Sequence, residues 1–284
     1  MFEITSRREL SPNIVEMKVH APRVAASAKP GQFVIVRTDS HGERIPLTIC
    51  DFDADKGTVT IVTQAIGLSS RKIVDLREGD AFADFAGPLG NPSDLLDLPE
   101  EELRKKRILF VAGGVGTAPV YPQVKWLKEH GVTADVIIGA KTRDLFTYVD
   151  EMKTVGNVFL CTDDGSEGFH GMVTGLMKDL IDNQGKTYDH CVIIGPMIMM
   201  KFASMTTKEY GIPTMVSLNA LMVDGTGMCG ACRVTVDGKT RFTCVEGPEF
   251  DAHKVDFDEA MRRQNMYRDN RKINPETHNC KCHG

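Results

Sequence analysis

Ile108-Leu109-Phe110-Val111-Ala112-Gly113-Gly114-Val115-Gly116-Thr117-Ala118-Pro119 decides the fold. The apolar run is too short for a helix and suits a strand buried on both faces. The glycines after it make a tight turn, and Val120 to His130 has helical length and an amphipathic pattern. Such a turn lets a phosphate approach the backbone, where the first helical amides and the helix dipole hold a pyrophosphate. A turn that only packs strand against helix reads the same way, so the strand-loop-helix context carries the nucleotide reading.

Working outward, the alternation continues. Strand-like runs recur at Asp135 to Ala140, Asn157 to Cys161 and His190 to Ile194, with helices expected at about 145–154, 172–184 and 197–210. This pattern predicts an α/β, doubly wound parallel sheet. Ligands of such sheets sit beyond the carboxyl ends of the strands. Two further strand ends, Thr162-Asp163-Asp164-Gly165-Ser166 and Gly195-Pro196-Met197, therefore converge with Gly113, Gly114, Gly116, Thr117 and Ala118 on one dinucleotide. Carboxylates at Asp163 and Asp164 repel a 2′-phosphate and accept from ribose hydroxyls, which favours NAD(H) over NADP(H). The same Asp-Asp-Gly sequence is also an ordinary turn and cap.

Residues 2 to about 90 alternate apolar and polar positions in short runs such as Gln32 to Arg37 and Thr58 to Val62, punctuated by Pro30-Gly31 and Asp55-Lys56-Gly57. That is the pattern of an antiparallel β-barrel. In it, Arg44-Ile45-Pro46-Leu47-Thr48 opens a strand and Gly67-Leu68-Ser69-Ser70-Arg71 opens a helix. Arg44 can pair with a flavin phosphate, and the amides and hydroxyls around Ser69 and Ser70 form a second anion site. A solvated arginine and a plain N-cap are the ordinary alternatives. The expected domains are 1–98, 99–215 and 216–284.

The third of these carries Asp224-Gly225-Thr226-Gly227-Met228-Cys229-Gly230-Ala231-Cys232, then Cys244. The plant-type ferredoxin pattern is Cys-x4-Cys-x2-Cys with a distant fourth Cys, and Asp224 stands where its first Cys would be. The glycines let amides reach sulfur, and the hairpin around Asp237-Gly238 brings Cys244 back beside Cys232. The reading is a [2Fe-2S] site with ligands Asp224, Cys229, Cys232 and Cys244. A zinc site, a Cys229–Cys232 disulfide, idle thiols, or a fourth ligand from Cys280 or Cys282 are the alternatives.

Composition bounds the rest. A chain of 284 residues with 42% hydrophobic and 26% charged content is that of an ordinary globular protein. A net charge of −5 gives no electrostatic footprint for nucleic acid. Met1-Phe2-Glu3-Ile4 opens directly with strand-like sequence, no apolar run reaches membrane-span length, and a cytoplasmic location is expected. Cys50, Cys161 and Cys191 lie singly in apolar strands and are read as buried, inert thiols. The tail His278-Asn279-Cys280-Lys281-Cys282-His283 reads as a flexible terminus or a metal-binding end.

These segments, in this order, resemble the ferredoxin-NADP reductase-like family, with an Arg-x-Pro-Leu-Thr/Ser barrel motif followed by a Gly-Gly-x-Gly loop. The cluster loop narrows the resemblance to iron-sulfur electron-transfer subunits related to that of dihydroorotate dehydrogenase B, in which the position of Asp224 is a cysteine. The resemblance implies FAD at Arg44, Pro46, Leu47, Thr48, Gly67, Ser69 and Ser70, with Gly87-Pro88-Leu89-Gly90 closing the flavin side of the domain interface. It places Ile194-Gly195-Pro196 where many reductases have Cys-Gly-Pro near the nicotinamide. It implies hydride exchange between NAD(H) and FAD, single-electron exchange with the [2Fe-2S] cluster, and no side-chain acid or base. It further implies a heterodimer with a larger subunit carrying another FAD and [4Fe-4S] clusters, in which NADPH oxidation is split between NAD and ferredoxin. A dihydroorotate dehydrogenase subunit, a non-catalytic redox-sensing module and a stand-alone diaphorase are the rival functions.

Overall fold

The computed structural model describes residues 1–266. The barrel opens with a hairpin of β1 (Phe2–Ser11) and β2 (Ile14–His20), turned at Asn13 with φ 65°. The short helix α1 (Pro22–Ala25) leads to β3 (Phe33–Arg37), β4 (Ile45–Asp53) and β5 (Thr58–Gln64). Helix α2 (Leu68–Asp75) precedes β6 (Ala81–Phe82) and β7 (Asp84–Leu89).

Strand order is β6-β1-β2-β5-β4-β3-β7, and every pairing is antiparallel. The two outermost strands, β6 and β7, are separated in sequence by Ala83 alone. A sheet whose opposite edges are one residue apart has to curl nearly shut, which removes the liability of open edges. Phe85 meets Phe82 at 6.0 Å and Phe2 at 5.7 Å where the edges approach. Ile4, Val15, Met17, Val34 and Ile61 fill the interior.

After α3 (Glu100–Leu103) the period changes. β8 (Ile108–Gly113), α4 (Thr117–Glu129), β9 (Asp135–Ala140), α5 (Val149–Val155), β10 (Asn157–Thr162), β11 (Phe169–His170) and α6 (Val173–Lys178) follow one another. Then come β12 (His190–Ile194), α7 (Met197–Glu209) and β13 (Thr214–Ser217). Every residue of β8 is buried because helices cover both faces. Leu109 and Val111 pack toward α6 and α7, whereas Phe110 and Ala112 pack toward α4 and α5, as the period of two along a strand requires.

The C-terminal segment forms a separate hairpin, β14 (Arg233–Val236) with β15 (Lys239–Phe242). Asp237 and Gly238 turn it with φ 53° and 69°, the left-handed pair a two-residue hairpin needs. The second strand of the hairpin stops at Phe242, two residues short of Cys244. Thr243 gives both its amide (3.2 Å) and its hydroxyl (2.8 Å) to the carbonyl of Cys232, and this starts the short helix α8 (Thr243–Glu246). Strand β16 (Glu249–Asp251) then joins the second sheet, and α9 (Phe257–Gln264) packs on α7. The order of that sheet is β11-β10-β9-β8-β12-β13-β16, parallel through β13 and antiparallel at β16. Winding reverses between β8 and β12, where such sheets hold their ligands. Among the described residues, no helix is long and apolar enough to cross a membrane.

Candidate functional site

At the winding reversal, the glycines of the first loop divide into two kinds. A Cβ on Gly116 would lie 2.2 Å from the Ile194 carbonyl oxygen, and one on Gly195 would lie 3.1 Å from the Gly113 amide. These glycines, with Gly113 under Met199, allow the ends of β8 and β12 to touch backbone to backbone. Gly114 differs: its φ is +55° and a Cβ there would meet nothing within 4 Å. Packing thus accounts for Gly113, Gly116 and Gly195, and leaves Gly114 facing open space above the start of α4. Thr117 closes the turn by donating its hydroxyl to the Gly114 carbonyl at 3.0 Å. Ala118 is buried against the barrel.

The two acidic residues at the end of β10 also separate. Asp164 accepts from the amide (3.0 Å) and hydroxyl (2.6 Å) of Ser166, and those bonds, the hydroxyl first, hold its carboxyl below the usual range. It is the cap of a turn. Asp163 is exposed beside it at the same sheet edge. Pro196 precedes the first turn of α7.

On the barrel, Pro46, Leu47 and Thr48 lie on β4 opposite Ile35, Val34 and Phe33 of β3. Arg44 is exposed just before that strand. Ser70 caps α2: its hydroxyl accepts from the amides of Ile66 and Gly67, both at 2.9 Å. The capping alternative therefore describes the Ser70 side chain. The Ser69 hydroxyl donates to the Glu43 carboxylate, which brings the Glu43-Arg44 segment against the first turn of α2. A guanidinium beside the amides of a helix N-terminus suits a phosphate group, with Glu43 as the anion such a group would displace from Ser69.

In the cluster loop, Gly225, Gly227 and Gly230 take φ values of 75°, 85° and 65°. Cys232 Sγ lies 3.3 Å from Cys244 Sγ, both side chains buried, while Cys229 is exposed. The Ala231 amide points at Cys229 Sγ at 3.4 Å, and the Cys244 amide at Cys232 Sγ at 3.5 Å. Asp224 accepts from the amides of Thr226 (2.9 Å) and Cys229 (2.8 Å), which hold its carboxyl below the usual range. The loop thus brings together Cys232 with Cys244, and Asp224 with the backbone of Cys229. Among the described residues, no group of three or more His, Cys, Asp or Glu side chains stands ready around one metal ion. Cys229 and Cys232 are free thiols with no bond between them. Two thiols and amides aimed at sulfur fit the donor set of a two-iron core better than a closed zinc tetrahedron. Cys280 and Cys282, and the terminal histidines, lie outside the described residues.

The loop is seated on the barrel. A Cβ on Gly225 would lie 2.7 Å from Ile35 Cδ1 and 3.0 Å from Leu89 Cδ1. Phe33, Ile35, Met222, Cys232 and Cys244 form one buried cluster. The Asn91 amide donates to the Gly247 carbonyl at 2.7 Å, so Gly87-Pro88-Leu89-Gly90 runs along the join. Strand β3 therefore pairs with the Pro46-Leu47-Thr48 strand through its backbone and touches the cysteine loop through its side chains.

Several residues that bind the units together carry no motif. Tyr148, left-handed at φ 59°, donates its hydroxyl to Glu16 of β2, and Arg8 pairs with Glu16 (2.9 Å) and Glu151 (2.7 Å). Lys125 of α4 pairs with Asp51 of β4 at 2.8 Å. Gln123 of α4 donates to buried Glu249 of β16 at 2.7 Å, and burial pushes the Glu249 carboxyl up to about 7. Cys50, Cys161 and Cys191 are buried, as their sequence context predicts, and burial pushes their thiols up.

Residues 219–256 match the iron-sulfur cluster binding domain of dihydroorotate dehydrogenase B. A Thermotoga maritima protein described as a dihydroorotate dehydrogenase B (NAD(+)) electron transfer subunit homolog is 43% identical over 274 residues, 96% of this chain and 94% of its own. The "uncharacterized protein in adh 3′ region" of Clostridium beijerinckii is 60% identical over 269 residues, covering 94% and 91%. A chain in the solved structure of the flavin-based electron-bifurcating NADH-dependent reduced ferredoxin-NADP oxidoreductase superposes with a TM-score of 0.90 at 41% identity, covering 97% of both chains.

Proposed function

The chain belongs to the family of dihydroorotate dehydrogenase B-like electron-transfer subunits, and from that premise we propose that it is the small flavin and iron-sulfur subunit of an NADH-dependent ferredoxin-NADP oxidoreductase. FAD is held by Arg44, Pro46, Leu47, Thr48, Gly67, Ser69 and the amides around Ser70. NAD(H) is held by Gly113, Gly114, Gly116, Thr117 and Ala118, by Asp163 and Asp164, and by Gly195 and Pro196. A [2Fe-2S] cluster is held by Asp224, Cys229, Cys232 and Cys244. When bound, these groups supply hydride exchange between nicotinamide and flavin and single-electron exchange between flavin and the two-iron core.

The chain's own residues position and insulate. Gly114 leaves room for a pyrophosphate while Gly116 and Gly195 keep the strand ends together. Asp163 repels a 2′-phosphate while Asp164 holds the turn through Ser166. Buried Phe33 and Ile35 exclude water between the flavin strand and the cysteine loop. The observation that carries the proposal is the sharing of β3 by the Pro46-Leu47-Thr48 strand and the cluster loop. It gives electrons a short, dry path within one chain.

The partner is a larger subunit bearing a second FAD and [4Fe-4S] clusters, with ferredoxin reached through it. Unpaired thiols at Cys50, Cys161 and Cys191 support work in a reducing compartment, the cytoplasm. The aspartate at position 224 favours this reading over a dihydroorotate dehydrogenase subunit, whose pattern has cysteine there. The test is anaerobic reconstitution with FAD, iron and sulfide, followed by stopped-flow mixing with each nicotinamide. NADH should bleach the flavin at least tenfold faster than NADPH, and the cluster should then be reduced. Equal rates, or a flavin that NADH leaves oxidised, refute the proposal.

A further inference from the structure

The matched cluster domain ends at residue 256, yet the structure braces the cysteine loop from beyond it. Helix α9 starts with the Asp256 side chain accepting the Glu259 amide at 2.8 Å. Phe257 and Ala260 bury its inner face, and Lys201 of α7 pairs with Asp258 at 2.7 Å. So anchored, its last turn reaches the loop at two points. Arg263 donates to the Ala231 carbonyl at 3.1 Å, and Gln264 donates to the Asn219 carbonyl at 3.3 Å. A second guanidinium, Arg233, donates to the Gly230 carbonyl at 3.1 Å. The carbonyls of Gly230 and Ala231, the two residues between Cys229 and Cys232, are therefore each capped by an arginine, one of them half-buried and supplied from 32 residues away.

These bonds have an electrostatic consequence for any negatively charged group bound by the loop. The Gly230 carbonyl belongs to the peptide whose N–H points at Cys229 Sγ, so the guanidinium on that oxygen polarises this amide further toward the sulfur, and Arg263 sets a second cation on the next peptide of the same loop. Net charge and hydrogen bonding around the sulfurs set cluster potentials. Half-buried Arg263 is screened less by solvent than exposed Arg233.

We infer that Arg263, supported by Arg233, is a positioning residue that holds the Cys229–Cys232 loop and raises the reduction potential of the cluster it binds. The inference rests on the cluster reading above. It assigns to α9 the work of making this chain a better electron acceptor.

The test is a dithionite redox titration of the full chain with its cluster, followed by electron paramagnetic resonance, with iron content measured in parallel. Arg263→Gln keeps a donor for the Ala231 carbonyl and loses the charge. At a fixed ambient potential its ratio of reduced to oxidised cluster should fall about tenfold, equivalent to about 59 mV for one electron. Arg263→Lys should restore most of that ratio. An Arg263→Gln protein that retains its iron and titrates with the wild type overturns the inference and leaves α9 a mechanical brace. If Arg263→Gln sheds iron, the decision passes to Arg233→Gln, whose ratio should fall by a smaller factor in the same direction and whose unchanged ratio overturns the inference. A wild-type chain that takes up no iron refutes the cluster reading itself.

Discussion

Replacing Glu249 with glutamine should make the protein more stable, by about 3 kcal/mol at pH 8 and by only about 1 kcal/mol at pH 5. The Glu249 carboxyl is buried on β16, with Gln123 donating to it at 2.7 Å. Burial raises its pKa from 4.5 to about 7, with Asp94 adding to the rise while Gln123, Ser93 and His190 oppose it. In the unfolded chain the group ionises at its ordinary value, so between pH 4.5 and about 7 the folded state binds more protons than the unfolded state. Stability is then fully present below the unfolded pKa and falls as pH rises through the folded one. The interval between those two values corresponds to about 3 kcal/mol. Glutamine carries no charge at any of these pH values and its carbonyl can still accept from Gln123. The variant should therefore gain about 1 kcal/mol at pH 5 and about 3 kcal/mol at pH 8 relative to the wild type, or about 6–12 °C in Tm at pH 8. Trp126, the only tryptophan, lies on α4 close to Gln123 and stacks on His130 at 4.0 Å, so its fluorescence reports unfolding of this unit in urea. Stability curves for the two proteins that stay parallel from pH 5 to pH 8 refute the argument.

Gly116→Ala should cost about 3 kcal/mol and weaken NADH binding, because its Cβ would lie 2.2 Å from the Ile194 carbonyl oxygen, a backbone atom with no room to retreat; calorimetry and NADH titration read both effects. Tyr148→Phe should cost about 1–3 kcal/mol by leaving Glu16 short of a buried donor, and denaturant melts of the two proteins at pH 7 measure the loss. Asp163→Ser should lower the KM for NADPH at least fivefold with little change in thermal stability, whereas Asp164→Ser should loosen the turn and raise KM for both nicotinamides; steady-state kinetics with an artificial acceptor separates the two. Cys232→Ala, which removes one of two thiols 3.3 Å apart, should leave less than half the wild-type iron per chain after reconstitution, as colorimetric iron assay would show.

What could be read from the chain was whatever repeats at short range. The buried run at Ile108 and its glycine turn, the helix from Met197 and the Asp237-Gly238 hairpin depend on neighbours within a few residues, and the structure follows them. Strand β16 escaped notice because Glu249-Phe250-Asp251 is too short for any period to register, and only its pairing with Met215 to Ser217 makes it a strand. The end of β15 at Phe242 is likewise decided from a distance, by the Cys232 carbonyl. The candidate sites divide the same way. Motif spacing located the glycines and cysteines, but which glycine packs and which faces open space depends on Ile194 and Met199, some eighty residues downstream. Arg263, Gln123 and Tyr148 gave no local signal, since each acts on a partner between 32 and 132 residues away.

Among the described residues, the β14–β15 hairpin joins neither large sheet and is held at its edge only by a bridge from Val236 to Val255, and two strands alone do not make a stable fold in water. Its cysteine loop takes its apolar floor from Phe33, Ile35 and Leu89, which belong to the first part of the chain to be synthesised. The barrel is thus a mould, and the loop takes shape only when cast against it. Residues 219–256 moved to another protein should therefore fail to shape this loop unless β3 and β7 travel with them.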